Sequence, residues 1–533
     1  MRTQLPGGGA ASRAPGPAGR HRTAADRRPD DVPVGRAPDD TIPDRRPGDV
    51  PTGYDLTRLP PVAWWLRRRS WQFQVILPNQ ILFWVVIAVG LWGAATFDDN
   101  FATTITWFVW FSLVFALILV TGRGWCAVCP FGGLAEWVQR GRLWHGRGEA
   151  GRGLGLNRPV PRWLADRGCV TTAVTFGVLT WVEEYFEVAD GSPPERTSWT
   201  VIGIIGFALA AFLVFERRAF CRYLCPLGGL IGVLGAGAPL TGFRSRDRAV
   251  CRACTTKECL RGNADAYGCP WFNWPGGSET GVNCGLCGEC YRACRTGNVG
   301  LWVERPLAAL ARRHGRRADV AWTAVLLGGL MLHQHLHETS WWERLDGAVN
   351  GWTGLPHGPD PVLFVVLTAA YTVALLLPVW LARHLLYRRP PGGLPDRGSS
   401  FTYRTTPFRA YLVPSWYAAV PLLGCDFLAV QLLGFFQDAP KVGPAAGRLL
   451  GLDATGPAAT TELLGTGAVV HLQVALLLAG ALASAGVFWR RSAVELGPIS
   501  RWPRAVRFGG AALMLIGGGL LAWFYVLTQG AAG

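Results

Sequence analysis

The stretch "ATTITWFVWFSLVFALILVTGRGWCAVCPFGGLAEW" runs from Ala102 to Trp137. Its apolar part, Ala102–Thr121, carries no charged side chain. An uncharged apolar run of about 20 residues is long enough to cross the hydrocarbon core of a bilayer as one helix. It is followed by two cysteines, a Cys-Pro step and a Gly-Gly pair. The same order recurs downstream, where the apolar run Trp199–Phe215 precedes "AFCRYLCPLGGLIGV" (Ala219–Val233). Each copy reads as a membrane hairpin ending in Cys…Cys-Pro-x-Gly-Gly-Leu. Two spans per unit return the chain to the same face, so the repeat is parallel, about an axis along the membrane normal. That symmetry is expected to bring Cys126, Cys129, Cys221 and Cys225 near one another at one membrane surface. The Gly-Gly pairs permit a tight turn into a surface-lying amphipathic segment. The first pair has two intervening residues and the second three; both spacings keep two thiols on one helical face.

Working outward, further apolar runs fall at about Val75–Phe97, Cys169–Val182, Val320–Leu336, Val362–Leu381, Tyr411–Phe436, Leu463–Phe488 and Ala511–Leu527. With the two above they make about nine spans. The fold class expected is therefore mainly α, a polytopic helical membrane protein. Half of the 533 residues are hydrophobic and only 17% are charged, yet the formal net charge is +16. The basic excess lies in loops: "WWLRRRS" before the first span, eight arginines between Arg123 and Arg167, "ARRHGRR" before the fifth, "ARHLLYRRPP" after the sixth. The loops of the opposite set are acidic, as in "EEYFEVADGSPPE". Basic loops mark the cytoplasmic side, so the N-terminus is expected inside and the C-terminus outside, in the cell membrane. Loop charge of this kind reads as topology, not as a nucleic-acid surface. The first apolar run begins too late for a cleavable signal peptide.

Four domains are expected. Residues 1–65 are rich in Gly, Pro, Arg and Asp without periodicity and read as a disordered basic tail. Residues 70–240 hold the two hairpin repeats, 242–304 a polar cysteine-rich segment on the cytoplasmic side, and 318–530 five further spans.

The cysteine-rich segment carries the chemistry. "NCGLCGECYRACR" (Asn283–Arg295) has C-x2-C-x2-C-x3-C spacing, a strong signal for a [4Fe–4S] cluster. Upstream, "CRACTTKECLRGNADAYGCPW" supplies Cys251, Cys254, Cys259 and Cys269. Two-cluster ferredoxins cross their ligands, the fourth cysteine of each run binding the other cluster. Applied here, Cys251, Cys254, Cys259 and Cys294 hold cluster 1, and Cys284, Cys287, Cys290 and Cys269 hold cluster 2. Zinc also binds C-x2-C pairs, but three cysteines in seven residues, "CGLCGEC", read as a cluster loop.

Two membrane hairpins, each ending in a Cys-Pro motif of which "CRYLCPLGGL" is the closer match, followed by a two-cluster segment, resemble the membrane polyferredoxins of the NapH, NosR and CcoG type. The resemblance covers about residues 70–305. It implies electron transfer between the membrane quinone pool and a partner redox protein, as a possible quinol-oxidising component of an oxidoreductase. A second implied role is maturation of another metalloenzyme as a membrane metal or thiol reductase. Cys126, Cys129, Cys221 and Cys225 are candidates for a metal or cluster site, a redox dithiol relay, or structural turns.

No catalytic residue is assigned. His333, His335 and His337 fall at the outer end of the fifth span, with His333 and His337 on one face, and His471 lies near the outer end of the eighth. A bis-histidine haem b between these helices, a quinol-site proton acceptor, and solvated interfacial histidines are the three readings. Asp426, mid-span in "GCDFLAVQ", is a costly place for a carboxylate, read as a proton acceptor on quinol oxidation or a helix–helix hydrogen bond. Cys169 and Cys425 read as inert apolar side chains.

Overall fold

The computed structural model describes residues 53–144, 154–189, 193–278, 280–312, 317–354, 360–390, 394, 401–402, 404–452 and 462–529. Residues 1–52 of the expected tail lie outside them. The tail gives way to ordered chain earlier than expected. Tyr54–Asp55 (β1) pairs with a strand about 250 residues away, and Pro60–Arg67 is a helix (α1). The composition of this segment hides its anchor: Asp55 is buried and accepts from Arg246 Nε at 2.8 Å.

The first repeat comprises Trp71–Trp92 (α2), Phe101–Thr121 (α3) and, after the Cys-Pro step, Pro130–Arg140 (α4). The second comprises Val170–Tyr185 (α5), Glu195–Val214 (α6) and Pro226–Leu234 (α7). The helix after each Cys-Pro starts on the proline itself, where a missing N–H costs nothing. The units interlock. α4 packs on α2 of its own repeat and on α6 of the other, and Gln139 donates to the carbonyls of Phe212 and Phe215 at the end of α6.

The C-terminal part contains Ala318–His337 (α8), Ser340–Thr353 (α9), Pro361–Leu386 (α10), Pro407–Asp438 (α11), Thr466–Glu495 (α12) and Pro503–Thr528 (α13). α11 packs on α12, and α12 on α13. α8 and α11 also join this part to the repeats, α8 against α5 and α11 against α3.

Among the described residues, seven helices are long and apolar enough to cross a membrane: α2, α3, α6, α10, α11, α12 and α13. The protein is thus a mainly α polytopic membrane protein. The two other expected spans exist as helices of a different character. α5 has 16 residues, roughly 24 Å at 1.5 Å per residue, against a hydrocarbon core of about 30 Å. α8 has 20 residues but carries Asp319 and three histidines, and is buried along most of its length.

A small antiparallel sheet brackets the cysteine-rich segment. Leu240–Ser245 (β2) enters it and Val299–Val303 (β3) leaves it, in the order β1-β3-β2. The sheet holds the two ends of the segment side by side, so that the cysteine runs between them fold over the ends of the repeats.

Candidate metal centre

The eight cysteines from Cys251 to Cys294 lie near one another. Burial pushes the Cys251 thiol up, the Asn298 amide opposes it, and Cys294 and Cys254 push it further. Burial, followed by Cys251, Cys294, Cys269 and Cys254, pushes Cys259 up to about 12. Burial pushes Cys290 well above its ordinary value, followed by Cys269, Cys287, Cys284 and Cys259. Cys269 N donates to Cys259 O at 2.9 Å, and Cys269 and Cys259 each neighbour thiols of both runs.

The surroundings suit thiolate ligands. Six of the eight cysteines are buried; Cys254 and Cys294 are partly exposed, and all eight are free of disulfides. N–H groups donate to sulfur from Phe243 to Cys284 (3.3 Å), Asn273 to Cys269 (3.4 Å) and the Asn298 side chain to Cys251 (3.2 Å). Such hydrogen bonds tune an iron–sulfur centre and lower the cost of burying negative sulfur. Gly242 has φ +90, and a Cβ there would lie 2.7 Å from the Cys284 Sγ. Only glycine lets β2 pass this close to the thiol. Among the described residues, no three His, Cys, Asp or Glu side chains stand close enough for a single metal ion. Soft sulfur donors in this number suit iron in a cluster.

Arginines between α6 and the second Cys-Pro step dock this segment. Arg217 Nη1 donates to the carbonyls of Leu260 (2.6 Å) and Cys269 (2.8 Å), Arg222 Nη1 to Trp271 (2.5 Å) and Phe272 (3.0 Å), and the Arg218 backbone N to Pro270 O (3.1 Å). Trp71 at the start of α2 donates to Cys287 O at 3.2 Å.

A buried ionic chain lies underneath, and its members were not singled out from sequence. Glu136 on α4 accepts from Arg218 Nε at 2.8 Å and also pairs with Arg140. Arg140 reaches Glu289 at 3.9 Å, and Glu289 pairs with Arg292 at 2.9 Å. Burial alone would raise the Glu136 carboxyl, but Arg140 and Arg218 outweigh it and hold it below its ordinary value. The one sequence clue was a glutamate and an arginine four apart inside a helix that is otherwise largely apolar.

Cys126, Cys129, Cys221 and Cys225 also converge. Burial pushes Cys129 up to about 11, and Cys126 adds to the shift. Burial pushes Cys221 up as well, against the pull of Arg218, with Cys225, Cys129 and Cys126 pushing further.

The histidines of α8 and His471 meet different neighbours. His333 is buried with Nε2 3.2 Å from Glu184 Oε2 and its ring against Trp342 and Phe364. His337 lies against Trp342. His471 is exposed and donates from Nδ1 to Gly467 O on its own helix. The carboxylate in α11 finds a different histidine: His335 Nε2 lies 3.0 Å from Asp426 Oδ1, both buried, with the Tyr525 ring beside the imidazole. Cys425 meets α12 at Gly480, and Cys169 donates to Asp319.

Clustered cysteine runs folded over paired Cys-Pro hairpins, in a polytopic helical frame, fit a membrane iron–sulfur protein of the polyferredoxin type. The comparisons agree. A family described as a 4Fe-4S binding domain matches twice, over residues 103–148 and 197–246. The chain is 26% identical over 215 residues to Protein NirI of Paracoccus denitrificans (strain Pd 1222), covering 37% of this chain and 26% of that protein. It thus spans about a quarter of the length of the curated relative it matches. No solved structure matches.

Proposed function

We propose that this protein carries electrons between the membrane quinone pool and a partner redox protein, through two [4Fe–4S] clusters at the cytoplasmic membrane face. Cys251, Cys254, Cys259 and Cys294 would hold one cluster, and Cys269, Cys284, Cys287 and Cys290 the other. The observation that supports the reading is the gathering of eight free cysteines in one segment, six of them buried and Cys254 and Cys294 partly exposed. Clusters bound there would take up and release single electrons. The chain's own residues exclude water, donate N–H groups to sulfur and set the local charge.

Two further features support a partner on each side. Toward solvent, a cleft of about 360 Å³ is lined by Arg67, Arg69, Arg246, Arg292, Tyr291 and Cys294. Asp265 also lines it and pairs with Arg69 at 2.9 Å, so four arginines outnumber one carboxylate in a cleft beside a proposed ligand, which suits a partner with an acidic contact face. Toward the membrane, the buried His335–Asp426 pair is a site that could take a proton on quinol oxidation. The cytoplasmic side for the segment, with the N-terminus inside, rests on the loop charges and counts the shorter α5 and the polar α8 as spans beside the seven longer helices. The test is anaerobic mixing of the purified protein with a menaquinol analogue. Quinol-dependent change in the cluster absorbance and paramagnetic signals is expected, and no exchange at any applied potential overturns the quinone assignment.

A further inference from the structure

We propose that Cys126, Cys129, Cys221 and Cys225 together hold a third [4Fe–4S] cluster, shared by the two repeats and set between the membrane helices and the eight-cysteine segment. The inference deepens the electron-transfer reading and rests on it.

The unequal spacings of the two pairs turn out to be equivalent in space. Cys126 lies in the short helix Gly124–Val128, and Cys129 caps α4 with φ −64 and ψ 122. Cys225 caps α7 with φ −64 and ψ 123, and each is followed by proline as the first helical residue. The extra residue of the second pair is absorbed by a π-helical turn, Phe220–Leu224, closed by Cys225 N donating to Phe220 O at 2.7 Å. A π turn takes in one residue more than an α turn, and such turns recur at functional sites. Both pairs thus span a single turn into the same Cys-Pro cap.

The pairs also meet across the repeat. Gly132 of the first repeat lies against the second: a Cβ there would come 3.3 Å from Cys221 Sγ and 3.5 Å from Arg218 Nη1. The site therefore draws on both repeats, two ligands from each.

Its charge calls for an anion. Arg218 and Arg123 are both buried. Arg218 is matched by Glu136. Arg123, 2% exposed, donates to the Val282 carbonyl and from Nη1 to Cys126 Sγ at 3.7 Å, and lies over Trp271. Its Nη2 has no hydrogen-bond partner, and no carboxylate pairs with it among the described residues. A buried guanidinium held by a carbonyl, a thiol and an indole ring, with no counter-charge, is costly. A cluster with four thiolate ligands is net negative and answers that charge. Ligation would replace four S–H bonds by four S–Fe bonds to a preassembled cluster and release four protons.

Other occupants fit less well. The four cysteines are free, not disulfides, and among the described residues no set of three donors suits a single ion. The two segments matching the 4Fe-4S family contain these four cysteines and none of the eight downstream. Arg218 acts on both Cys221 and Cys287, so the proposed site adjoins the eight-cysteine segment.

The test is iron and acid-labile sulfide analysis of anaerobically purified full-length protein, with paramagnetic resonance, on wild type, Cys129→Ser and Cys221→Ser. About twelve iron per chain is expected in wild type, from three four-iron clusters. Each variant should lose about a third of it while the signals of the eight-cysteine segment persist. About eight iron in wild type, or variants with unchanged iron, overturns the third site and leaves the two-cluster reading standing. Stoichiometric copper or zinc lost on Cys129→Ser also overturns it. If the variants do not fold, the wild-type count decides alone. Absence of sulfide altogether sinks the underlying reading as well.

Discussion

Replacing Glu136 by glutamine removes one charge from the centre of the buried ionic chain and changes little in shape. The Glu136 side chain is 4% exposed and that of Arg218 1%. The neutral amide would leave the Arg218 guanidinium buried without a counter-charge, while Arg140 keeps Glu289 at 3.9 Å. Breaking a buried pair by removing one partner costs about 3–5 kcal/mol. The expected loss of stability lies in that range, set mainly by Arg218. A double-mutant cycle isolates the pair: with Arg218→Met as the second change, a coupling of about 2–3 kcal/mol is expected. The assay is denaturant unfolding in detergent, followed by tryptophan fluorescence, with the slope checked for constancy. There is a pH signature as well. The folded Glu136 carboxyl sits below its ordinary value of 4.5. Its contribution is therefore complete above that value and is lost as pH falls through the lowered folded value. Glu136→Gln should flatten the acid limb of the stability curve. A loss below about 0.5 kcal/mol, or additive single variants, would refute the claim that this pair anchors α4 to the second repeat.

Other outcomes follow from the same geometry. Cys294→Ser and Cys259→Ser should abolish the same paramagnetic signal, and Cys269→Ser and Cys287→Ser the other; if Cys294→Ser instead matched Cys287→Ser, the crossed assignment would fail. Cluster-free protein should lose stability above pH 9, because the raised Cys269 and Cys129 thiols (about 11) favour the fold below their ordinary value and lose that advantage as pH rises toward 11. Each such rise corresponds to roughly 3 kcal/mol, read as alkaline unfolding by circular dichroism. Asp426→Asn should slow quinol-dependent cluster reduction at least several-fold while leaving iron content unchanged; an unchanged rate removes this pair from the proton path. Arg67→Glu in the exposed cleft should weaken exchange with an acidic redox partner and flatten its salt dependence, measured by stopped-flow absorbance.

Much of the frame was legible because lipid imposes a simple code. Charge-free runs mark helices that meet the bilayer, and seven of them appear as such. What escaped was tertiary. Tyr54–Asp55 looks like a continuation of a disordered tail, and only its pairing with Val303 and Trp302 reveals otherwise. Arg217, Arg218 and Arg222 carry no mark of their role in the sequence, yet they clamp the loop around Cys269-Pro270, a contact that sequence distance conceals. The α5 and α8 segments passed a hydropathy reading, but their length and polar residues set them apart. The histidines of the fifth and eighth spans, grouped by apolar depth alone, meet different neighbours, because helix depth does not fix which faces touch. His335, assigned no role of its own from sequence, is the one that finds Asp426.

The most direct measurement is an anaerobic redox titration of the purified protein, followed by paramagnetic resonance together with iron and sulfide analysis. The account predicts at least about eight iron with matching sulfide per chain, and [4Fe–4S] signals that disappear when Cys251–Cys294 ligands are replaced. Bound zinc without sulfide, and no reducible paramagnetic centre at any potential, would contradict it.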